Sequence, residues 1–237
     1  MKGIYAVLLA IAGAVALSSC EKVVGEGPVV TETRNVTDFK GVSVAISGKV
    51  NYQVAPTYKV EVSAQRNILN VLQTERHGDE LVIKFREGTN VKSHEEIIIN
   101  ISAPVAEFAN LSGSAELTVM GDIVSPALGL RVSGSGNIVV SKAITDDLTA
   151  TITGSGNIRI NQGSSFNEKL KISGSGNIDV SEITGSKVQA EISGSGHIRV
   201  HAVQTLNATI SGSGSVFYKG TPQISTSVSG SGSVRPL

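Results

Sequence analysis

The chain has 237 residues, 20 basic and 20 acidic side chains with no net charge, 26 glycines, one cysteine and no tryptophan. Balanced charge supplies no basic tract to attract nucleic acid or an anionic membrane surface, and a lone thiol excludes an internal disulfide. Aromatics are only 4% of the chain, so a core has to be assembled from Val, Ile and Leu in thin layers.

The chain opens with a targeting segment. Lys2 gives a short positive start, and Ile4 to Leu17 is a nearly uninterrupted apolar run of 14 residues. That is too short to span a bilayer as a helix but suits the core of a signal peptide. It ends in Leu17-Ser18-Ser19-Cys20, which resembles the lipobox of bacterial lipoproteins. The resemblance implies cleavage after residue 19 and lipidation of Cys20. Several acyl chains would then anchor the protein, each buried CH₂ adding ~0.8 kcal/mol. Residues 20–28 read as a tether and residues 29–237 as the body.

Residues 29–104 are irregular in spacing and richer in charge. Val42 to Val54 alternates apolar and polar residues and carries Ser47-Gly48 where a repeat motif would place them, so it reads as a divergent coil. Period two means strand. Further strands are expected at Lys59–Ala64, Leu81–Phe85 and Ile97–Ser102. A helical turn or loop is expected within residues 67–74 and a turn at His77-Gly78-Asp79. Pro104 should break the chain before the regular part. This half suits a cap, which a solenoid needs over its first open edge.

Residues 105–237 are dominated by a Ser-Gly-Ser-Gly-Asn-Ile motif. Its first Ser or Thr falls at 112, 133, 153, 173, 193, 211 and 229, spacings of 21, 20, 20, 20, 18 and 18. Such a period marks a solenoid coil. Within a copy, Leu130, Val132, Gly134, Gly136, Ile138 and Val140 share one face. The two glycines therefore read as inward-pointing members of a tight bend between two strands. Polar segments 141–147 and 161–168 read as turns closing each coil. The expected fold is all-β, a single-stranded parallel β-helix of about 18–21 residues per coil, with right-handed winding the first choice. An antiparallel sandwich of SGSG hairpins is the rival. Parallel stacking is favoured because like residues recur in register.

Asp38-Phe39-Lys40-Gly41-Val42 together with the repeated Gly-Ser-Gly-Asn-Ile block is similar to the head GIN domain family, described as a putative auto-transporter adhesin, over roughly Val36 to Val216. The resemblance implies a β-helical fold and an envelope lipoprotein setting.

No catalytic constellation stands out. SGSGNI lacks the lysine and following helix of a phosphate loop. Calcium-binding rolls need a recurring carboxylate that this motif does not have. His197 and His201 share a strand face about 13 Å apart, too far for one zinc. No histidine recurs beside the serines to activate them. Asp122, Asp146, Asp147 and Asp179 are scattered and read as turn residues. No cofactor is implied, and the expected role is non-enzymatic. What remains is an outward polar ladder: Ser133, Ser135, Asn137; Thr153, Ser155, Asn157; Ser173, Ser175, Asn177; and Ser193, Ser195, His197. It reads either as structural, side chains bonding along the stack, or as a strip that binds a glycan or protein. The membrane is the expected partner through Cys20, with an outer membrane the first choice. The alternative function is a structural or assembly component, with copies associating through the end that follows SGSGSVRP.

Overall fold

The structure, a computed structural model, describes residues 21–237. The signal segment and Cys20 lie outside the described residues. In chain order the elements are β1 (Glu21–Val23), β2 (Val29–Arg34), β3 (Gly41–Ala45), β4 (Lys49–Val54), β5 (Lys59–Gln65), α1 (Arg66–Leu69), β6 (Leu72–His77), β7 (Glu80–Phe85), β8 (Thr89–Val91), β9 (Ile98–Ala103) and β10 (Phe108–Gly113). The regular part continues with β11 (Glu116–Gly134), β12 (Asn137–Gly154), β13 (Asn157–Ile160), β14 (Gly163–Gly174), β15 (Asn177–Gly194), β16 (His197–Gly212), β17 (Ser215–Lys219), β18 (Gln223–Ser229) and β19 (Ser233–Pro236). Seventeen of these strands join one sheet that winds as a stack of coils.

The repeat is parallel and in register, as expected for a β-solenoid. Gly113 pairs with Gly134, then Gly154, Gly174, Gly194 and Gly212, one partner per coil. Like therefore stacks on like inside the coils too. Leu111, Val132, Ile152, Ile172, Ile192 and Ile210 form one buried file, and Leu117, Ile138, Ile158, Ile178 and Ile198 another. β-Branched side chains suit this position because their stiff rotamers pack file against file.

The SGSG bend depends on both glycines, for different reasons. The second, Gly136, is buried, and a Cβ there would lie 2.5 Å from the Leu111 side chain and 2.5 Å from the Ala115 carbonyl oxygen. It points inward as expected. The first, Gly134, does not: it has φ +134° and its missing Cβ would meet the backbone of Gly113 in the neighbouring coil. The close approach lets one carbonyl serve two donors, Gly113 O accepting from Ser135 N and Gly136 N at 3.0 Å each. The same pair recurs from Gly134 O, Gly154 O, Gly174 O and Gly194 O.

The polar segments read as turns are mostly strand. β12 runs through residues 141–147 without a break, and β14 begins at Gly163. The coil still bends there. Asp146 and Asp147, like Phe166 and Asn167, are consecutive exposed residues between buried ones, and the ladder passes from Thr145↔Ser165 to Asp147↔Asn167 without pairing the residue between. A corner made inside a strand keeps the Asn/Asp/Ser composition of a turn.

The N-terminal part is where parallel order gives way. β3 and β4 form a full coil, paired in parallel with β10 and β11 on one side and with β7 and β9 on the other. Beyond it the pairing turns antiparallel, β5 to β9, β2 to β5 and β6 to β7. These strands cover the first edge of the stack. Phe39, Tyr52 and Tyr58 cluster beneath them, with ring centroids 6.4 Å apart for Phe39–Tyr52 and 5.1 Å for Phe39–Tyr58.

The segment read as a tether is fastened to this part. β1 pairs in parallel with β8, Val23 is buried, and Glu21 N donates to Gly88 O at 2.7 Å. Glu26 N donates to Asn67 Oδ1 and Asn67 Nδ2 to Val24 O, so residues 21–26 lie along the body.

Candidate functional site

The twelve ladder residues assemble into three files along one edge of the stack. Ser133, Thr153, Ser173 and Ser193 pair in register, and so do Asn137, Asn157, Asn177 and His197. Ser135, Ser155, Ser175 and Ser195 sit at the bends between them. The asparagines bond to one another: Asn157 Nδ2 donates to Asn137 Oδ1 at 2.7 Å and Asn177 Nδ2 to Asn157 Oδ1 at 2.9 Å. Such amide ladders form when identical strands stack in register. The file ends at His197, whose ring meets Phe217 edge-on at 5.8 Å, and its neighbours Ser215 and Ser233 bond hydroxyl to hydroxyl at 3.1 Å. Asn157 both donates and accepts within the stack, Asn137 accepts and Asn177 donates, whereas Ser133, Ser135, Thr153, Ser155, Ser175, Ser193 and Ser195 are exposed.

A second feature lies at the coil corner. Val124, Ile144, Ser164 and Thr184 stack as one outward file. Two residues on, Pro126, Asp146, Phe166 and Ser186 form another, and a furrow of about 560 Å³ runs between the two files. Its rims are apolar in unusual places: Val124 is 70% exposed, Phe166 46% and Ile144 41%. The intervening file, Ser125, Thr145, Ser165 and Gly185, forms the floor and turns inward from Thr145 on. Lys187 Nζ stands 5.0 Å from the Phe166 ring centroid.

Under this floor is a buried acid. Glu168 occupies an inward file whose other members are Leu128, Leu148, Val188 and Leu206. It is 2% exposed; Ser165 Oγ donates to its Oε1 at 2.6 Å, and its Oε2 has no partner among the described residues. Burial pushes its carboxyl up to about 7, against the lowering effect of the Ser165 hydroxyl.

The sequence reading missed both features. Glu168 stood inside a supposed turn, although aligning the coils puts a charge in a file of leucines. The furrow was hidden because Val124, Ile144 and Phe166 break the in–out alternation just where the chain turns its corner. Asp146, read only as a turn residue, lies on the furrow rim. Among the described residues no group of three or more His, Cys, Asp or Glu is placed to hold a metal ion, and no helix is long and apolar enough to cross a membrane.

The model of the family described as "putative auto-transporter adhesin, head GIN domain" matches residues 38–222, which include the Asp38–Val42 start and the repeats. The chain belongs to this family. Several solved structures share the fold, among them these three. A "putative adhesin" from Bacteroides fragilis NCTC 9343 is 20% identical with a TM-score of 0.83, covering 91% of this chain and 100% of the other. A "putative adhesin" from Parabacteroides merdae ATCC 43184 is 24% identical with a TM-score of 0.75, covering 92% and 99%. A "putative lipid binding protein" from Parabacteroides distasonis ATCC 8503 is 24% identical with a TM-score of 0.73, covering 92% and 100%. At these identities the likeness is one of fold. A search of curated proteins finds no match.

Proposed function

We propose that this head GIN protein is a lipid-anchored component of the bacterial cell envelope whose solenoid binds a partner and catalyses no reaction, an adhesin-like role. The observation that carries the reading is the in-register stack itself. Its backbone is held by ladders on both sides along β12 and β14, so the outward side chains there stand in fixed files. A surface ordered before contact gives up little conformational freedom on binding. The adhesin description of the family and of two neighbours agrees with it. The signal segment and Cys20 supply the address.

The test is retention of the purified chain on intact envelopes, paired with protease shaving of intact cells. Saturable retention and removal by external protease support the reading. Absence of retention on every envelope tried would remove it.

A second reading, assembly through the last coil, rests on one contrast. Ile224 is 40% and Val228 43% exposed, while their partners one coil back, Leu206 and Ile210, are 0% and 1% exposed. A second copy meeting β18 edge to edge would cover both residues. Solution mass with and without residues 227–237 decides it: a drop to the monomer on truncation supports assembly, and a monomer throughout removes it.

A further inference from the structure

We propose that the corner furrow is a carbohydrate-binding site in which a short, neutral oligosaccharide lies along the stack, with Phe166 as its platform. This rests on the binding reading above and adds the site and the ligand class.

The first observation is the ring itself. Five phenylalanines serve the whole chain, and Phe39 is fully buried while Phe166 stands 46% exposed in the middle of the wall. Leaving a phenyl ring in water forgoes the stabilisation that burial gives. The ring is not loose. Ser165 before it is buried beside Glu168, and the Lys187 ammonium stands near its face, so the platform is set from below and from the side.

The second observation is the alternation of chemistries along the furrow. Val124, Ile144 and Phe166 offer apolar surface, while Asp146 and the Ser164 and Thr184 hydroxyls interrupt it at the coil spacing. With coils about 4.8 Å apart, the four-coil furrow is about 14 Å long. A saccharide has the matching pattern, with C–H faces that rest on apolar and aromatic surface and hydroxyl edges that both donate and accept hydrogen bonds. The size falls in the range of ordinary ligand sites.

The same lining disfavours the other ligand classes. A peptide adding as a strand needs an unpaired edge, and along the furrow β12 and β14 are each paired on both sides; only the β11 end, where Pro126 lacks an N–H to donate, has a free side. An acyl chain needs an unbroken apolar wall, which Ser164, Thr184 and Asp146 deny. A polyanion needs a run of cations, and the furrow has one carboxylate on its rim and one ammonium beside it.

The experiment uses the full chain in detergent on a printed array of short neutral and acidic oligosaccharides, with hits quantified by calorimetry. Phe166→Ala should weaken the best neutral hit about tenfold, and Asp146→Ala should weaken it measurably, with thermal stability unchanged for both. The combined Asn137→Ala, Asn157→Ala and Asn177→Ala variant, on the other edge, should bind like the parent. No saccharide bound, or binding indifferent to Phe166→Ala, overturns the site. If envelopes still retain the chain while no saccharide competes, the furrow assignment falls and the binding reading stands. If retention is absent too, both fall.

Discussion

The carboxyl of Glu168 fills the space that a side chain on Gly185 would need: a Cβ at Gly185 would lie 2.5 Å from Oε1 and 3.0 Å from Oε2. The acid, its Ser165 donor and the glycine above it form a unit across two coils. With a carboxyl at about 7 in the fold against about 4.5 in the open chain, the folded state binds the proton more tightly. Its contribution to stability is therefore full below pH 4.5, falls as pH rises to 7 and stays flat above. The loss amounts to about 3 kcal/mol. Urea denaturation of the parent and Glu168→Gln from pH 4 to 9 should show this fall in their difference, where other titrating groups cancel. At pH 8, Glu168→Leu should be more stable than the parent, because leucine suits the file of Leu148 and Val188. A difference profile flat from pH 4 to 9 would contradict the burial of a titrating acid.

The glycines divide by what surrounds them. A methyl at Gly156 would run into the Gly136 carbonyl and lie 2.6 Å from Val132 Cγ1, whereas Gly88 has φ +76° and open space around it. Gly156→Ala should destabilise by about 2 kcal/mol or more through overpacking. Gly88→Ala should cost about 1 kcal/mol from backbone strain alone. Equal losses in thermal denaturation would show that conformational freedom, and not coil spacing, sets the need for glycine in the motif.

The asparagine file tests its own role. Replacing Asn137, Asn157 and Asn177 together by Ala removes two amide–amide hydrogen bonds. At about 1 kcal/mol each, less where solvent competes, the expected loss is about 1–2 kcal/mol with the fold retained. Circular dichroism and denaturation check this. A large loss of envelope binding in a stable triple variant would instead make the file part of the contact surface.

The exposed last coil gives a concentration test. If copies meet there, Ile224→Lys combined with Val228→Lys should abolish any dimer seen by sedimentation at micromolar concentration and leave the melting of the monomer nearly unchanged. A dimer that survives the double change does not use this edge.

Position 20 gives a fractionation test. Cys20→Ala should abolish labelling by a radioactive fatty acid and move the protein from the detergent phase to the aqueous phase. Unchanged partitioning would refute lipidation there.

Much of the fold was legible because in-register stacking repeats a residue type at a fixed spacing. The file Gly134–Gly154–Gly174–Gly194 and the file Asn137–Asn157–Asn177 could both be written from spacing alone. The antiparallel cap was not, since Val29–Arg34 and Lys59–Gln65 alternate like any strand and pairing direction leaves no mark on alternation. The corners were misjudged for the opposite reason. Asp146-Asp147 has turn composition, yet the ladder resumes on both sides of it. The ladder residues were placed together as the repeat implied, while the furrow needed three-dimensional knowledge of which residues, such as Phe166, stand outside a bend.

The hydrogen bond from Glu21 to Gly88 has a mechanical meaning for whatever position 20 carries. A body joined through a long loop swivels freely and searches a wide volume around its point of attachment. Here the slack ends one residue after that point. An acyl group at Cys20 would hold the cap itself at the lipid surface, with β8 and Arg86, which pairs with Glu21 at 2.6 Å, close against the headgroups. The height above the bilayer at which the furrow meets its surroundings would then be a fixed property of the coils, altered by adding or deleting a repeat and not by lengthening a leash.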